Sequence, residues 1–107
     1  MKVGIIRCQQ TEDLCPGTGD FAAVEKKSGA FETLGDCTIV GFVSCGGCPG
    51  SKAIARAQAL MDRGAQAIAL ATCITKGNPD GFPCPNRDSI LQALRKKCKE
   101  VPVLEYT

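Results

Sequence analysis

Residues 38–71 read TIVGFVSCGGCPGSKAIARAQALMDRGAQAIALA, and the order of patterns within them decides the fold. Thr38 to Val43 is a β-branched and aromatic run of strand length. Ser51 to Arg63 then repeats Ile54, Ala57, Leu60 and Met61 at helical spacing, and Gly64 supplies the stop. Gln66 to Ala71 is a second apolar run. A strand, a helix and a strand in that order predict two parallel strands joined by a right-handed crossover.

Working outward, Lys2 to Arg7 and Val101 to Glu105 have the same strand composition. Asn86 to Lys99 places Ile90, Leu91, Leu94 and Cys98 on one helical face, with Pro102 beyond it. Asp20 to about Ser28 carries Phe21 and Val24 among good helix formers, which predicts a third helix before Gly29. The expected architecture is an α/β domain of three layers, with a four-stranded, mainly parallel sheet, three main helices and a flavodoxin-like topology. At 107 residues the chain can bury one core, so residues 1–107 are expected to form a single domain.

The formal charge of +2 is spread along the chain and leaves no footprint for nucleic acid or membrane. The densest basic stretch, Arg95-Lys96-Lys97 with Lys99, falls where a helix ends and where its dipole favours cations. Met1 to Arg7 meets charge too soon for a signal peptide, and no apolar run approaches the length of a membrane crossing. The expectation is a cytoplasmic protein with reduced thiols. There, eight cysteines point to metal binding or redox chemistry more than to a disulfide framework.

Each of the first three strands runs into a cysteine: Cys8, Cys45 and Cys73. Each of these is followed by a Cys-Pro pair, Cys15-Pro16, Cys48-Pro49 and Cys84-Pro85, the last two just before the clearest helices. Proline suits a first helical turn, where its missing N–H has no acceptor to lose. Parallel strands all end at one edge, and the loops leaving that edge deliver the chain to helix N-termini beside it. Cys8, Cys15, Cys45, Cys48, Cys73 and Cys84 are therefore expected to line one rim, where helix N-termini favour thiolates. Any one of them could simply pack as a buried strand end; six doing so together is a different matter.

Cys37 and Cys98 lie outside this set. Cys98 falls on the apolar face of its helix, and Cys37 starts the second strand, about 26 Å from Cys45 if extended. Both are expected to be buried as small hydrophobes.

The Cys45-Gly46-Gly47-Cys48 element carries the most weight, because a Cys-x-x-Cys lets two sulfurs face one metal ion or oxidise to a disulfide. Gly46, Gly47 and Gly50 permit a tight turn, and no Walker or dinucleotide fingerprint points to a phosphate. Without histidine there is no imidazole ligand and no Cys-His catalytic pair. Glu12, Asp13 and Asp80 are placed in loops near the rim as solvated turn residues that could supply an oxygen. Arg7 and Lys76 flank the rim and are expected to be solvated surface charges.

Cys45-Gly46-Gly47-Cys48-Pro49-Gly50, together with Gly4-Ile5-Ile6-Arg7-Cys8 and Gly81-Phe82-Pro83-Cys84-Pro85, resembles the CGGC domain family over nearly the whole chain. The resemblance implies a metal site, with zinc the first candidate. Members often carry a histidine where this chain has Asn86, so here cysteine, oxygen or water has to complete the site.

The leading expectation is zinc held mainly by Cys45, Cys48, Cys73 and Cys84, with Cys8 and Cys15 as further ligands or a spare dithiol. An iron–sulfur electron carrier is one alternative. Another is a thiol–disulfide protein that uses Cys45 and Cys48 as its catalytic pair with a redox partner protein. A thioredoxin-like fold is not expected, since the pattern shows neither an antiparallel pair nor a cis-proline opposite the dithiol.

Overall fold

The structure is a computed structural model that describes residues 1–13, 15–76 and 84–107. Among these residues the strands are β1 (Lys2–Arg7), β2 (Thr38–Ser44), β3 (Ala67–Leu70) and β4 (Val103–Leu104). The helices are α1 (Thr18–Lys26), α2 (Lys52–Asp62), α3 (Thr72–Thr75) and α4 (Arg87–Lys97). The strands form one sheet in the order β2-β1-β3-β4, and every neighbouring pair is parallel. The fold is α/β, and this order is compatible with a flavodoxin-like sheet, in which strands are added outward from the first.

The two inner strands are apolar between their ends because helices cover them. Val3, Ile5, Ile6, Ala67, Ile68, Ala69 and Leu70 have no exposed surface. The pleat sorts the helices. At Gly41 a Cβ would lie 2.2 Å from Leu60 of α2, whereas the next residue, Phe42, stacks on Phe21 of α1 with ring centroids 5.2 Å apart. Successive strand residues point to opposite faces, so α1 and α2 lie on opposite sides of the sheet, an arrangement compatible with three layers.

Gly4 pairs with Gly41 across β1 and β2, and a Cβ at Gly4 would also meet Leu60, at 2.8 Å. The two facing glycines make the notch into which Leu60 fits. The register slips beside them: Val3 pairs with Ile39 and Gly4 with Gly41, leaving Val40 unpaired on the edge strand and partly exposed.

Several boundaries differ from expectation for identifiable reasons. α1 starts two residues early because Gly17, at φ 88°, turns the chain into it, and it ends at Lys27, whose left-handed φ of 55° closes the last turn. β4 shrinks to two residues because Pro102 has no N–H to donate, although its carbonyl accepts from the Ile68 N–H at 3.0 Å. The single turn α3 (Thr72–Thr75) occupies what the sequence reads as loop beyond the third strand. Pro49 and Pro85 lie ahead of the caps Ser51 and Asn86, not in the first helical turns. The Cys48-Pro49 peptide is cis, inside the motif and not opposite it. Cys98 is buried as expected, while Cys37 is only half-buried. No helix among the described residues is long and apolar enough to cross a membrane.

Candidate metal centre

The site follows from register. Arg7 pairs with Ser44 and Ile6 with Leu70, so β1, β2 and β3 end level with one another. The residues just beyond these ends are Cys8, Cys45 and, within α3, Cys73. The Cys45 N–H donates to the Arg7 carbonyl at 2.7 Å, and the Cys8 N–H donates to Sγ of Cys73 at 3.3 Å.

The chain after Cys45 turns through three left-handed glycines, Gly46 at φ 83°, Gly47 at 96° and Gly50 at 91°, a conformation that side chains disfavour. The Gly50 N–H closes this turn on the Gly47 carbonyl at 2.8 Å. Arg56 of α2 anchors its start, donating through Nη1 to the Ser44 carbonyl at 3.1 Å and to Ser44 Oγ at 2.9 Å. A Cβ on Gly47 would lie 3.5 Å from Gln9 Oε1, so the CGGC loop rests on the short turn that follows Cys8. Within the loop Cys45 is buried and Cys48 is exposed.

Cys84 joins the same edge because its N–H donates to the Ile74 carbonyl of α3 at 2.7 Å. Its Sγ accepts the Asn86 N–H at 3.4 Å. Burial pushes the Cys84 thiol up; the Asn86 N–H lowers it, and negative charge on Cys48, Cys8 and Cys45 raises it further. Burial also pushes the Cys73 thiol up, against the lowering effect of the Cys8 N–H and of Thr11. Helix N-termini were expected to depress these thiols. At Cys73 and Cys84 desolvation wins, because Cys84 precedes its helix and α3 is a single turn with little dipole.

Cys15 is fixed through its backbone: its N–H donates to the Thr11 carbonyl at 2.8 Å, and its carbonyl accepts from Arg7 Nη2. It is not among the thiols whose charge reaches Cys84 or Cys73. Glu12 and Asp13 are exposed, as expected of turn acids. Asp80 lies outside the described residues, as do Gly81, Phe82 and Pro83. Lys76 is exposed, with its Nζ 3.9 Å from the centre of the Tyr106 ring.

Arg7 corrects the sequence reading. It is only 7% exposed, not solvated. Its guanidinium lies 5.9 Å from the centre of the Phe42 ring and 3.7 Å from Glu12 Oε1, and its buried Nε has no hydrogen-bond partner among the described residues. Beside it sits a polar cluster that no motif announced. Asp20, 5% exposed, accepts a hydrogen bond from the Thr107 hydroxyl, and Thr107 Oγ1 accepts the Thr72 N–H at 3.4 Å. An acid in the first turn of a helix ordinarily reads as a dipole partner, and a terminal threonine gives no pattern at all.

Burial raises the Asp20 carboxyl above the usual carboxylate range, opposed by the Thr107 hydrogen bond and by Arg7. The folded state therefore disfavours the charged form. Wild-type stability falls as pH rises from about 4, the ordinary carboxylate value, through the raised folded value. Asp20→Asn keeps the carbonyl oxygen for Thr107 and removes this penalty. Urea unfolding at acidic and neutral pH should show the variant gaining on the wild type as pH rises.

Among the described residues no three Cys, Asp or Glu side chains converge closely enough to hold a metal ion. The donor set nevertheless suits a soft ion in type, since soft thiolates select zinc and iron–sulfur chemistry. Cys84 shares one electrostatic neighbourhood with Cys48, Cys8 and Cys45. An ion would have to gather sulfurs that already share a rim.

The CGGC domain family matches residues 2–107. An uncharacterized protein of Methanocaldococcus jannaschii is 40% identical over 112 residues, covering 97% of this chain and 84% of that protein. No solved structure matches the chain. The CGGC match and the eight cysteines are consistent with a metal-binding role.

Proposed function

Because the chain belongs to the CGGC domain family, we propose that it binds zinc through the thiolates gathered at the carboxyl edge of its sheet. Cys45, Cys48 and Cys84 form the centre of the donor set, and Cys8 completes it in place of Cys73, the fourth ligand expected from the sequence, because charge on Cys8 acts on Cys84; Cys73 and Cys15 lie beside them. The observation that carries this reading is the level ending of β1, β2 and β3, which brings cysteines distant in sequence to one edge. Four thiolates satisfy tetrahedral zinc and leave no open position, so the ion would contribute stability and not a reactive water. Asn86 stands in this site with its N–H on Cys84 Sγ, contributing through its backbone.

Metal analysis of anaerobically purified protein tests the proposal: about one zinc per chain supports it, and metal far below stoichiometry ends it. Iron in place of zinc, with visible absorbance, would instead favour a cluster. The pH dependence offers a second check. Cys84 and Cys73 are pushed up, so in the metal-free protein they are protonated at neutral pH, and any that bind zinc must release a proton. Apparent zinc affinity, measured by chelator competition, should rise with pH through neutrality by about tenfold per unit for each such thiol. A flat profile would contradict thiolate ligation as a whole.

A thiol–disulfide reading draws support from one contrast: Cys48 is exposed and Cys45 buried, which suits an attacking and a resolving sulfur.

A further inference from the structure

We infer that Cys8 and Cys73 form a second reactive pair, a dithiol that a small disulfide oxidises to a cross-link between the ends of β1 and β3. Neither residue belongs to a Cys-x-x-Cys, and 65 positions separate them in sequence. The sheet cancels that separation. β1 and β3 are adjacent and parallel, Ile6 pairs with Leu70, and the Ala71 N–H donates to the Ile6 carbonyl at 2.9 Å. Cys8 directly follows β1 and Cys73 lies in α3, three residues past the end of β3, so the two sit just beyond the ends of paired strands.

The closest measure is the Cys8 N–H, which meets Cys73 Sγ at 3.3 Å. The Cys8 sulfur is separated from that nitrogen only by its own Cα and Cβ, so rotation about χ1, which carries it around the Cα–Cβ bond, changes its distance from the Cys73 sulfur.

Exposure sets the order of events. Cys8 is half-buried and reachable from solvent, whereas Cys73 is 3% exposed and reachable only from its neighbour. The Cys8 thiolate attacks one sulfur of a disulfide RSSR, forms a mixed disulfide and expels one RS⁻. Cys73, as its thiolate, then attacks Sγ of Cys8, forms the protein disulfide and expels the second RS⁻. Two electrons pass from the protein to RSSR, and the two thiol protons end on two RSH.

The consequence for metal rests on the reading above, in which Cys8 is a zinc ligand. Cross-linking Cys8 removes one of four thiolates, so oxidation loosens the ion. The rim then senses redox state through a pair outside its CGGC motif.

The test uses the full chain, stripped of metal, treated with 2-hydroxyethyl disulfide, alkylated, digested with trypsin and mapped by mass spectrometry. The expected product joins residues 8–26 to residues 64–76, in the wild type and in Cys15→Ser, which removes the other cysteine of the first peptide. In Cys73→Ala the hydroxyethyl adduct should persist on Cys8; the Cys15→Ser map decides even if the alanine variant folds poorly. A persistent adduct on wild-type Cys8 with Cys73 alkylated, or a cross-link from Cys8 to another cysteine, overturns the pair. In a zinc-loaded sample, at least tenfold weaker zinc retention after cross-linking supports the coupling. Unchanged retention overturns the role of Cys8 as a ligand and leaves the pair standing. A chain that takes up no zinc overturns the metal reading alone, because the metal-free map still decides the pair.

Discussion

Replacing Cys45 and Cys48 together by serine should lower bound zinc from an expected value of about one ion per chain to below about a tenth, while the far-UV circular dichroism should stay that of the wild type. Structural zinc in small domains is worth about 10–16 kcal/mol, and removing two of four thiolates takes away several kcal/mol of that, a loss of at least about a thousandfold in affinity. Misfolding does not explain such a loss. Cys48 is exposed, and Cys45 caps the end of a strand whose backbone partner, the Arg7 carbonyl, does not depend on the sulfur. Serine keeps the size and a hydrogen-bonding tip and lacks only a soft thiolate. Metal analysis beside the wild type checks the result, and full retention of zinc would remove the CGGC motif from the site.

Gly50→Ala carries the second large effect, this time on stability. Gly50 has φ 91°, where a side chain costs about 1–2 kcal/mol. The added Cβ would lie 2.5 Å from Ile90 Cδ1 and 2.8 Å from Ile90 Cγ1, on the buried face of α4, and overpacking of this kind costs about 1–3 kcal/mol. The sum is about 2–5 kcal/mol in urea unfolding. Relief of the clash pushes the loop holding Cys48 outward, so zinc affinity should fall as well. Gly19→Ala is the contrast: it lies in α1 with nothing within 4 Å of the new Cβ, and helix propensity there favours alanine by up to about 1 kcal/mol. Equal destabilisation by both variants would contradict this account of the loop.

The contrast between these glycines also marks where sequence patterns stop. That Gly46, Gly47 and Gly50 turn the chain was readable from their crowding around two cysteines. That Gly4 and Gly41 face each other under Leu60 was not, because the notch exists only once register is set. The alternation of apolar periods gave β1, β2, α2 and α4 within a residue or two, since each buries a face whose period is local. α3 has no such period: its four residues, Thr72-Cys73-Ile74-Thr75, are too short a stretch to show one, and they turn helical only after β3 ends at Leu70. The shared edge of Cys8, Cys45 and Cys73 followed from parallel strands alone. The sign of the thiol shifts did not, because it depends on burial of Cys73 and Cys84, which composition cannot weigh against a helix dipole. Arg7 was misplaced for a related reason. A charge at a strand end looks solvated until Phe42 and the Asp20–Thr107 pair are folded over it.

The central claim is that sulfurs far apart in the chain form one ligand set, and cobalt(II) substitution tests it most directly. Added to the reduced, metal-free protein without oxygen, cobalt should be taken up at about one ion per chain, with the intense sulfur-to-metal absorption and visible bands of a tetrahedral thiolate site, and Cys84→Ser should weaken both. Cobalt that stays free, with every rim thiol reacting as if alone, would contradict the account.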